Sequence, residues 1–266
     1  MTNKIFLAAL LAACAFPATA QTAVPTSAEA PAIGRFSVVT MGEGPDVIFI
    51  PGLSSTRAVW ADVAAPLAST HRVHLVQVAG FGEAAGANAS GPVLQPFVDA
   101  LADHIRRTGM NKPAIVGHSM GGWLALHAAL RRKDRVAGLL GIAAAPDFTD
   151  WGYSADDKIV LLRDGKLERP NPYGPEPSVT HGGFWQSGEA MRLLWQPLDI
   201  MVPVRLVCGE KDAEVPIGVS LKLLEQLRSA DVQMTLVKNS GHRLSEPHEI
   251  HAILVELQGL VEIAKR

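Results

Sequence analysis

One serine in this chain stands where a hydroxyl can be put to chemical use. The stretch Ile115-Val116-Gly117-His118-Ser119-Met120-Gly121-Gly122 ends an apolar run and sets Ser119 in the pattern Gly-x-Ser-x-Gly. An alkyl hydroxyl is a weak nucleophile at neutral pH, so covalent chemistry there needs a base to take its proton and an acid to orient the base. Both follow downstream, in the order serine, carboxylate, histidine. Gly209-Glu210-Lys211-Asp212-Ala213-Glu214-Val215-Pro216 supplies the acid, with Asp212 as first choice and Glu210 as its rival, and Asn239-Ser240-Gly241-His242-Arg243 supplies His242 as the base. The chemistry expected is acyl transfer. Ser119 attacks a carbonyl carbon as His242 takes its proton, and water later releases the acid from an acyl-enzyme.

Such a reaction also needs donors for the oxyanion. Ile50-Pro51-Gly52-Leu53-Ser54-Ser55 follows a strand-like run, and Gly52 lets the backbone come close. The backbone N–H groups of Leu53 and Met120 are the expected oxyanion hole, a device worth roughly 3 to 4 kcal/mol per donor. The same stretch also reads as an ordinary Gly/Pro/Ser turn.

The elements that must hold these residues are legible as an alternation. Short apolar or β-branched runs at Phe36–Thr40, Val47–Ile50, Val73–Val78, Ala114–Val116, Val136–Ile142, Val204–Cys208 and Met234–Val237 predict strands. Helical spacing of apolar positions covers Arg57–Ala68, Val93–Arg107, Met120–Arg132, Gly218–Ser229 and Pro247–Ala264. This is the signature of an α/β fold, a mostly parallel sheet with helices on both faces, in one domain over 35–266. Ser119 then falls at a strand-to-helix turn, where the helix dipole favours developing negative charge. Asp212 and His242 fall on loops at the carboxyl ends of strands, where such sheets place their sites.

Residues from about 146 to 203 interrupt the alternation with Trp, Pro, Gly and charge, as an inserted lid would. Phe184, Trp185 and Trp195 either line an apolar substrate pocket there or form the lid's own small core; His118, beside the nucleophile, is a further pocket candidate. The other histidines fit the site less well. His127 falls within a helix, His71 and His74 flank a strand, His104 reads as a helix-surface residue, and His181 lies in the lid. His248 and His251, at i and i+3, make only half of a metal site, so neither a metal nor a cofactor is expected.

Composition narrows the partners. The chain has 266 residues and a formal net charge of −2, without a basic cluster, which excludes the electrostatic footprint of a nucleic-acid binder. A small-molecule substrate fits better. Lys4, the apolar stretch Ile5–Ala13 and Ala18-Thr19-Ala20 before Gln21 read as an export signal over residues 1–20, followed by a leader over 21–34 rich in Ala, Pro, Ser and Thr. A periplasmic or secreted protein is expected, with no membrane span. The alternative is a lipoprotein, because Leu11-Ala12-Ala13-Cys14 resembles a lipobox. Cleavage after Ala20 would leave Cys208, in a strand-like run, as the one cysteine, so no disulfide framework exists.

With "PGLSS", "GHSMGG", "GEKDAEVP" and "SGHRLSEP" in this order, the chain resembles the α/β-hydrolase superfamily over nearly its whole mature length. More narrowly, "AAPDFT" at the start of the lid and "SGHRLSEP" are similar to bacterial relatives of the palmitoyl-protein thioesterase and acyl-glucuronide esterase group. The resemblance implies hydrolysis of a carboxylic ester or thioester through Ser119, Asp212 and His242. Two departures stand out. Pro51-Gly52 replaces the His-Gly of many relatives, and the loop "GFGEAAGANASG" replaces a tighter turn. Two other readings remain open. An aminopeptidase or amidase would need lid acids such as Asp147, Asp150, Asp156 and Asp157 to hold an amine, and a non-catalytic binding protein would retain the pocket alone.

Overall fold

In a computed structural model of the chain, residues 34–133, 135–171 and 175–264 are described. The export signal, Cys14 and nearly all of the leader lie outside them. Seven strands form the main sheet: β1 (Phe36–Met41), β2 (Asp46–Ile50), β3 (Arg72–Val78), β4 (Ala114–His118), β5 (Gly138–Ile142), β8 (Val204–Gly209) and β9 (Val232–Val237). Their order is β1-β3-β2-β4-β5-β8-β9. β1 runs antiparallel to β3, and every other pairing in this sheet is parallel. The fold is the α/β architecture expected, a mostly parallel sheet with helices on both faces.

Its central strands are apolar along their length because both faces are covered. β2 and β5 are buried at every residue. One face carries α2 (Leu94–Arg107), α3 (Met120–Arg131) and α7 (Ile217–Gln226), which contribute Phe97, Leu101, Trp123, Leu124 and Leu223 to one core cluster. α2 shows why it folds there, since Leu94, Phe97, Val98, Leu101 and Ile105 form one apolar stripe. The other face carries α1 (Ala61–Leu67) and α8 (Pro247–Ala264), with Val63, Leu67, Leu257 and Leu260 in a second cluster. Trp60 packs this layer onto the sheet, its ring centroid 5.1 Å from that of Phe49.

Differences from the sequence expectation are local. The helix expected over Arg57–Ala68 begins as a 3-10 turn, Arg57–Trp60, before α1. The Gln77 side chain takes up the Arg57 backbone N–H at 2.8 Å and thereby holds this first turn. The loop "GFGEAAGANASG" is ordered by side chains. Asn88 donates to the carbonyls of Arg35 and Ala79, and Gly82 approaches Thr56 so closely, at φ +76°, that no Cβ would fit.

Between β5 and β8 lie α4 (Phe148–Trp151), α5 (Ala155–Asp164), the antiparallel pair β6 (Lys166–Arg169) and β7 (Ser178–His181), and α6 (Gly182–Glu189). A capping box at Ser154 and Asp157 starts α5, and Gly165 in the left-handed region ends it. The neck of this insertion is closed by Asp147. Its buried carboxylate accepts from the backbone N–H groups of Leu193 (2.7 Å) and Leu194 (2.8 Å). Burial pushes the Asp147 carboxyl above its ordinary value, partly countered by those two N–H donors.

Candidate active site

Ser119 occupies a sharp turn between β4 and α3, with φ 54° and ψ −122°. A non-glycine residue in this region costs of order 1 to 3 kcal/mol, so its surroundings must impose it. They do so through the backbone. The Ser119 N–H donates to the Ile142 carbonyl at 2.9 Å, and its own carbonyl accepts from Gly122 and Ala145, each at 3.0 Å. Glycine is required on either side because the chain folds onto itself. A Cβ at Gly117 would lie 2.3 Å from the Gly121 carbonyl oxygen, and one at Gly121 would lie 2.2 Å from that of Ile50. Gly121→Ala should therefore cost about 2 to 3 kcal/mol or more, as overpacking against backbone does. Urea unfolding checks this, with Gly218→Ala as control, since a Cβ there meets nothing within 4 Å.

The loop after β2 lies against this turn. β2 pairs with β4 so that Ile50 faces Gly117, and a Cβ on Gly52 would be 3.2 Å from that of Ser119. Gly52 thus lets the loop reach the hydroxyl. The backbone N–H groups of Leu53 and Met120 have no hydrogen-bond partner among the described residues, which leaves both as free donors next to Ser119.

Asp212 and His242 meet from neighbouring loops. β8 and β9 pair with Gly209 opposite Val237, and a Cβ at Gly209 would sit 2.4 Å from the Ser240 carbonyl oxygen, so the two following loops run in contact. His242 Nδ1 lies 2.9 Å from Asp212 Oδ2, with the side chains 10% and 4% exposed. Facing a carboxylate, Nδ1 is the protonated nitrogen, which leaves the Nε2 lone pair to accept a proton. Asp212 Oδ1 accepts from the N–H groups of Glu214 and Val215, each at 2.9 Å. Burial raises the Asp212 carboxyl, but the His242 bond and these two N–H donors outweigh it and hold it below its ordinary value.

Glu210, the rival acid, is engaged elsewhere. Its carboxylate pairs with Lys238 and accepts the Asn239 N–H at 3.0 Å.

His118 connects the two halves of the site. Its Nε2 donates to the His242 carbonyl oxygen at 2.9 Å, and the two rings stand 4.9 Å apart between centroids. Burial and the neighbouring His242 hold the His118 imidazole down to about 4, so it is neutral near pH 7. Instead of simply lining a pocket, as its place in the sequence suggests, His118 anchors the loop that carries His242 to the turn that carries Ser119. The Ser119 hydroxyl itself bonds to no described residue; such contacts are commonly loose until substrate is bound.

The three lid aromatics separate. Trp185 is buried inside the insertion and donates through Nε1 to the Thr149 carbonyl at 2.9 Å, so it belongs to the insertion's own core. Trp195 is 69% exposed, with Nε1 bonded to the Arg192 carbonyl three residues earlier. Phe184 is half-buried and packs toward the main core: its ring is 6.2 Å from that of Phe148, which in turn meets Trp123 of α3 edge-on at 5.6 Å. Burial and hydrogen-bond partners divide Trp185 from Trp195, and aromatic residue type alone carries no signal of either.

Of the lid acids, Asp147 holds the neck, Asp150 pairs with Lys158 and Arg192, and Asp157 caps α5 and pairs with Arg169 at 2.6 Å. Asp156 is exposed. His74 is bound in a buried cluster with Asp46 (2.8 Å) at the start of β2, at the end of the sheet opposite the site. Among the described residues, no group of three or more His, Cys, Asp or Glu side chains could hold a metal ion, and no helix is long and apolar enough to cross a membrane.

A match to the alpha/beta hydrolase family spans residues 47–253, from β2 through the first turns of α8. The chain belongs to that family. Within it, this hydrolase is 31% identical over 228 residues to the mitochondrial palmitoyl-protein thioesterase of Mus musculus, covering 83% of this chain and 76% of that protein. The pimeloyl-[acyl-carrier protein] methyl ester esterase of Chromobacterium violaceum is 29% identical over 231 residues, 73% of this chain and 86% of that one. Among solved structures, the mouse alpha/beta hydrolase domain-containing protein 10 superposes with a TM-score of 0.76 at 28% identity, over 85% of this chain and 94% of that one. A putative hydrolase from Agrobacterium vitis follows at 0.75 and 29%, over 85% and 93%. The hydrolase is thus similar to the thioesterase group its motifs pointed to.

Proposed function

We propose that this chain is an exported serine hydrolase that cleaves carboxylic esters or thioesters through Ser119, His242 and Asp212. The observation that carries the reading is the 2.9 Å contact of His242 Nδ1 with Asp212, on a loop whose His242 carbonyl is held by the side chain of His118, the residue before Ser119. In this mechanism the Ser119 oxygen attacks the acyl carbonyl as its proton passes to His242 Nε2. The Leu53 and Met120 N–H groups hold the oxyanion, and Asp212 stabilises the imidazolium. His242 then protonates the departing alcohol or thiol. A water molecule, deprotonated by the same nitrogen, releases the acid.

Names of relatives support both leaving-group types, one being a thioesterase and another a methyl ester esterase. Against the amidase alternative stand the lid acids, since Asp147, Asp150 and Asp157 already have partners inside the insertion. Export rests on Lys4, the apolar stretch Ile5–Ala13 and Ala18-Thr19-Ala20, with lipidation at Cys14 as the alternative; the two differ in the intact mass of the mature protein. The test of the activity is hydrolysis of p-nitrophenyl esters of increasing acyl length together with labelling by a fluorophosphonate. Turnover with a chain-length optimum, and a label on Ser119, are expected. Inactivity on every ester without labelling would turn the reading toward a binding protein.

A further inference from the structure

His242 lies between two carboxylates, and the proposed mechanism uses only one of them. Beyond Asp212 at Nδ1, Glu214 Oε2 stands 3.7 Å from His242 Nε2, the nitrogen that must serve the reacting atoms. The cause is local. Asp212 Oδ1 gathers the N–H groups of residues 214 and 215 into a tight Asx-type turn, and this turn keeps Glu214 on the short stretch of loop beside His242. The Glu214 side chain is 43% exposed, so its carboxylate borders both the ring and the solvent-facing side of the site.

We infer that Glu214 is a specificity-determining residue that selects against substrates with an anionic leaving group. This rests on the serine-hydrolase reading, in which His242 Nε2 delivers its proton to the departing oxygen or sulfur. That transfer requires hydrogen-bond reach, about 3 Å, so the leaving atom comes within about 7 Å of the Glu214 carboxylate. A unit charge borne two or three bonds beyond that atom lies within roughly 10 Å of the carboxylate, about one Debye length at 0.1 M salt, where partial solvent exposure weakens the interaction but does not abolish it. Neutral alcohols and thiols are accepted, and cationic leaving groups are favoured. Leaving groups with a carboxylate or phosphate near the scissile bond are disfavoured.

The experiment compares three esters of one acyl chain: ethyl as neutral reference, choline as cation and glycolate as anion. kcat/KM is read for wild type, Glu214→Gln and Glu214→Lys, with Ser119→Ala as blank. The choline-to-glycolate ratio in wild type should fall about three- to tenfold in Glu214→Gln and further in Glu214→Lys, and the wild-type preference should shrink at high salt. Dividing by the ethyl ester rate removes any general loss of activity or folding. A ratio that stays the same in both variants while wild type turns over all three esters overturns the role of Glu214 and leaves the hydrolase reading standing. No turnover of any of the three by wild type overturns both.

Discussion

Ser119→Ala should abolish ester hydrolysis, with a fall of roughly 10⁴-fold or more in kcat, and should eliminate fluorophosphonate labelling. The expectation follows from the turn between β4 and α3. There the half-buried Ser119 combines a strained backbone with its place at the head of α3, next to the two unpartnered N–H groups of Leu53 and Met120. What survives in the variant is the stabilisation the Leu53 and Met120 donors give to attack by water, so a small residual rate above the uncatalysed reaction is expected. The fold should hold, because Ser119 is kept in place by backbone hydrogen bonds that alanine retains, to Ile142, Gly122 and Ala145. Wild-type-like urea unfolding beside lost turnover is the combination to look for. A variant that kept its rate would move the nucleophile elsewhere.

The second large effect belongs to the acid. Asp212→Asn should lower kcat by about 10³- to 10⁴-fold, because an amide donates where the carboxylate accepts and so favours the tautomer in which Nε2 carries the proton and cannot act as base. Glu210→Gln should stay near the wild-type rate. It breaks a pair whose Lys238 partner is 77% exposed, and such surface pairs contribute about 0 to 1 kcal/mol. The contrast between these variants is the assay. The Asp212 effect also has a direction in pH. Its carboxyl is held below the ordinary carboxylate value, so the stability it contributes is present above the unfolded value of 3.8 and is lost as pH falls through the lower folded value. The stability difference between wild type and Asp212→Asn should accordingly narrow in strong acid, as followed by urea midpoints from pH 7 downward.

Much of this arrangement could be read from residue order. Strands such as Val47–Ile50 and Val73–Val78 were legible because burial on both faces leaves unbroken apolar runs, and each differs by a single residue from the observed β2 and β3. Ser119 and His242 were legible because glycine marks the places where backbone passes close to backbone. The choice between Asp212 and Glu210 was not, since both sit on one loop and only side-chain direction divides them. Direction is fixed by contacts distant in sequence: Lys238 and Asn239 draw Glu210 one way, and His242 draws Asp212 the other. The same holds for Trp185 and Trp195. They are alike in type and ten positions apart, yet one is enclosed and bonded to the carbonyl of Thr149, 36 residues earlier, and the other faces solvent with a partner, Arg192, only three residues away.

Asp147 has a consequence for how such an enzyme can change. Its carboxylate joins positions separated by 46 and 47 residues, so the insertion leaves the sheet and returns to it through one narrow neck. Segments between that do not pack on α3, such as the β6–β7 pair, can be lengthened, shortened or exchanged while the neck keeps the spacing of β5 and β8, whereas Phe148 and Phe184 are tied to the core through Trp123. The insertion is in this sense a replaceable cassette. New substrate ranges can be sampled there by mutation or grafting, with the reacting groups on the other side of the neck least disturbed where the contacts to Trp123 and His127 of α3 are kept.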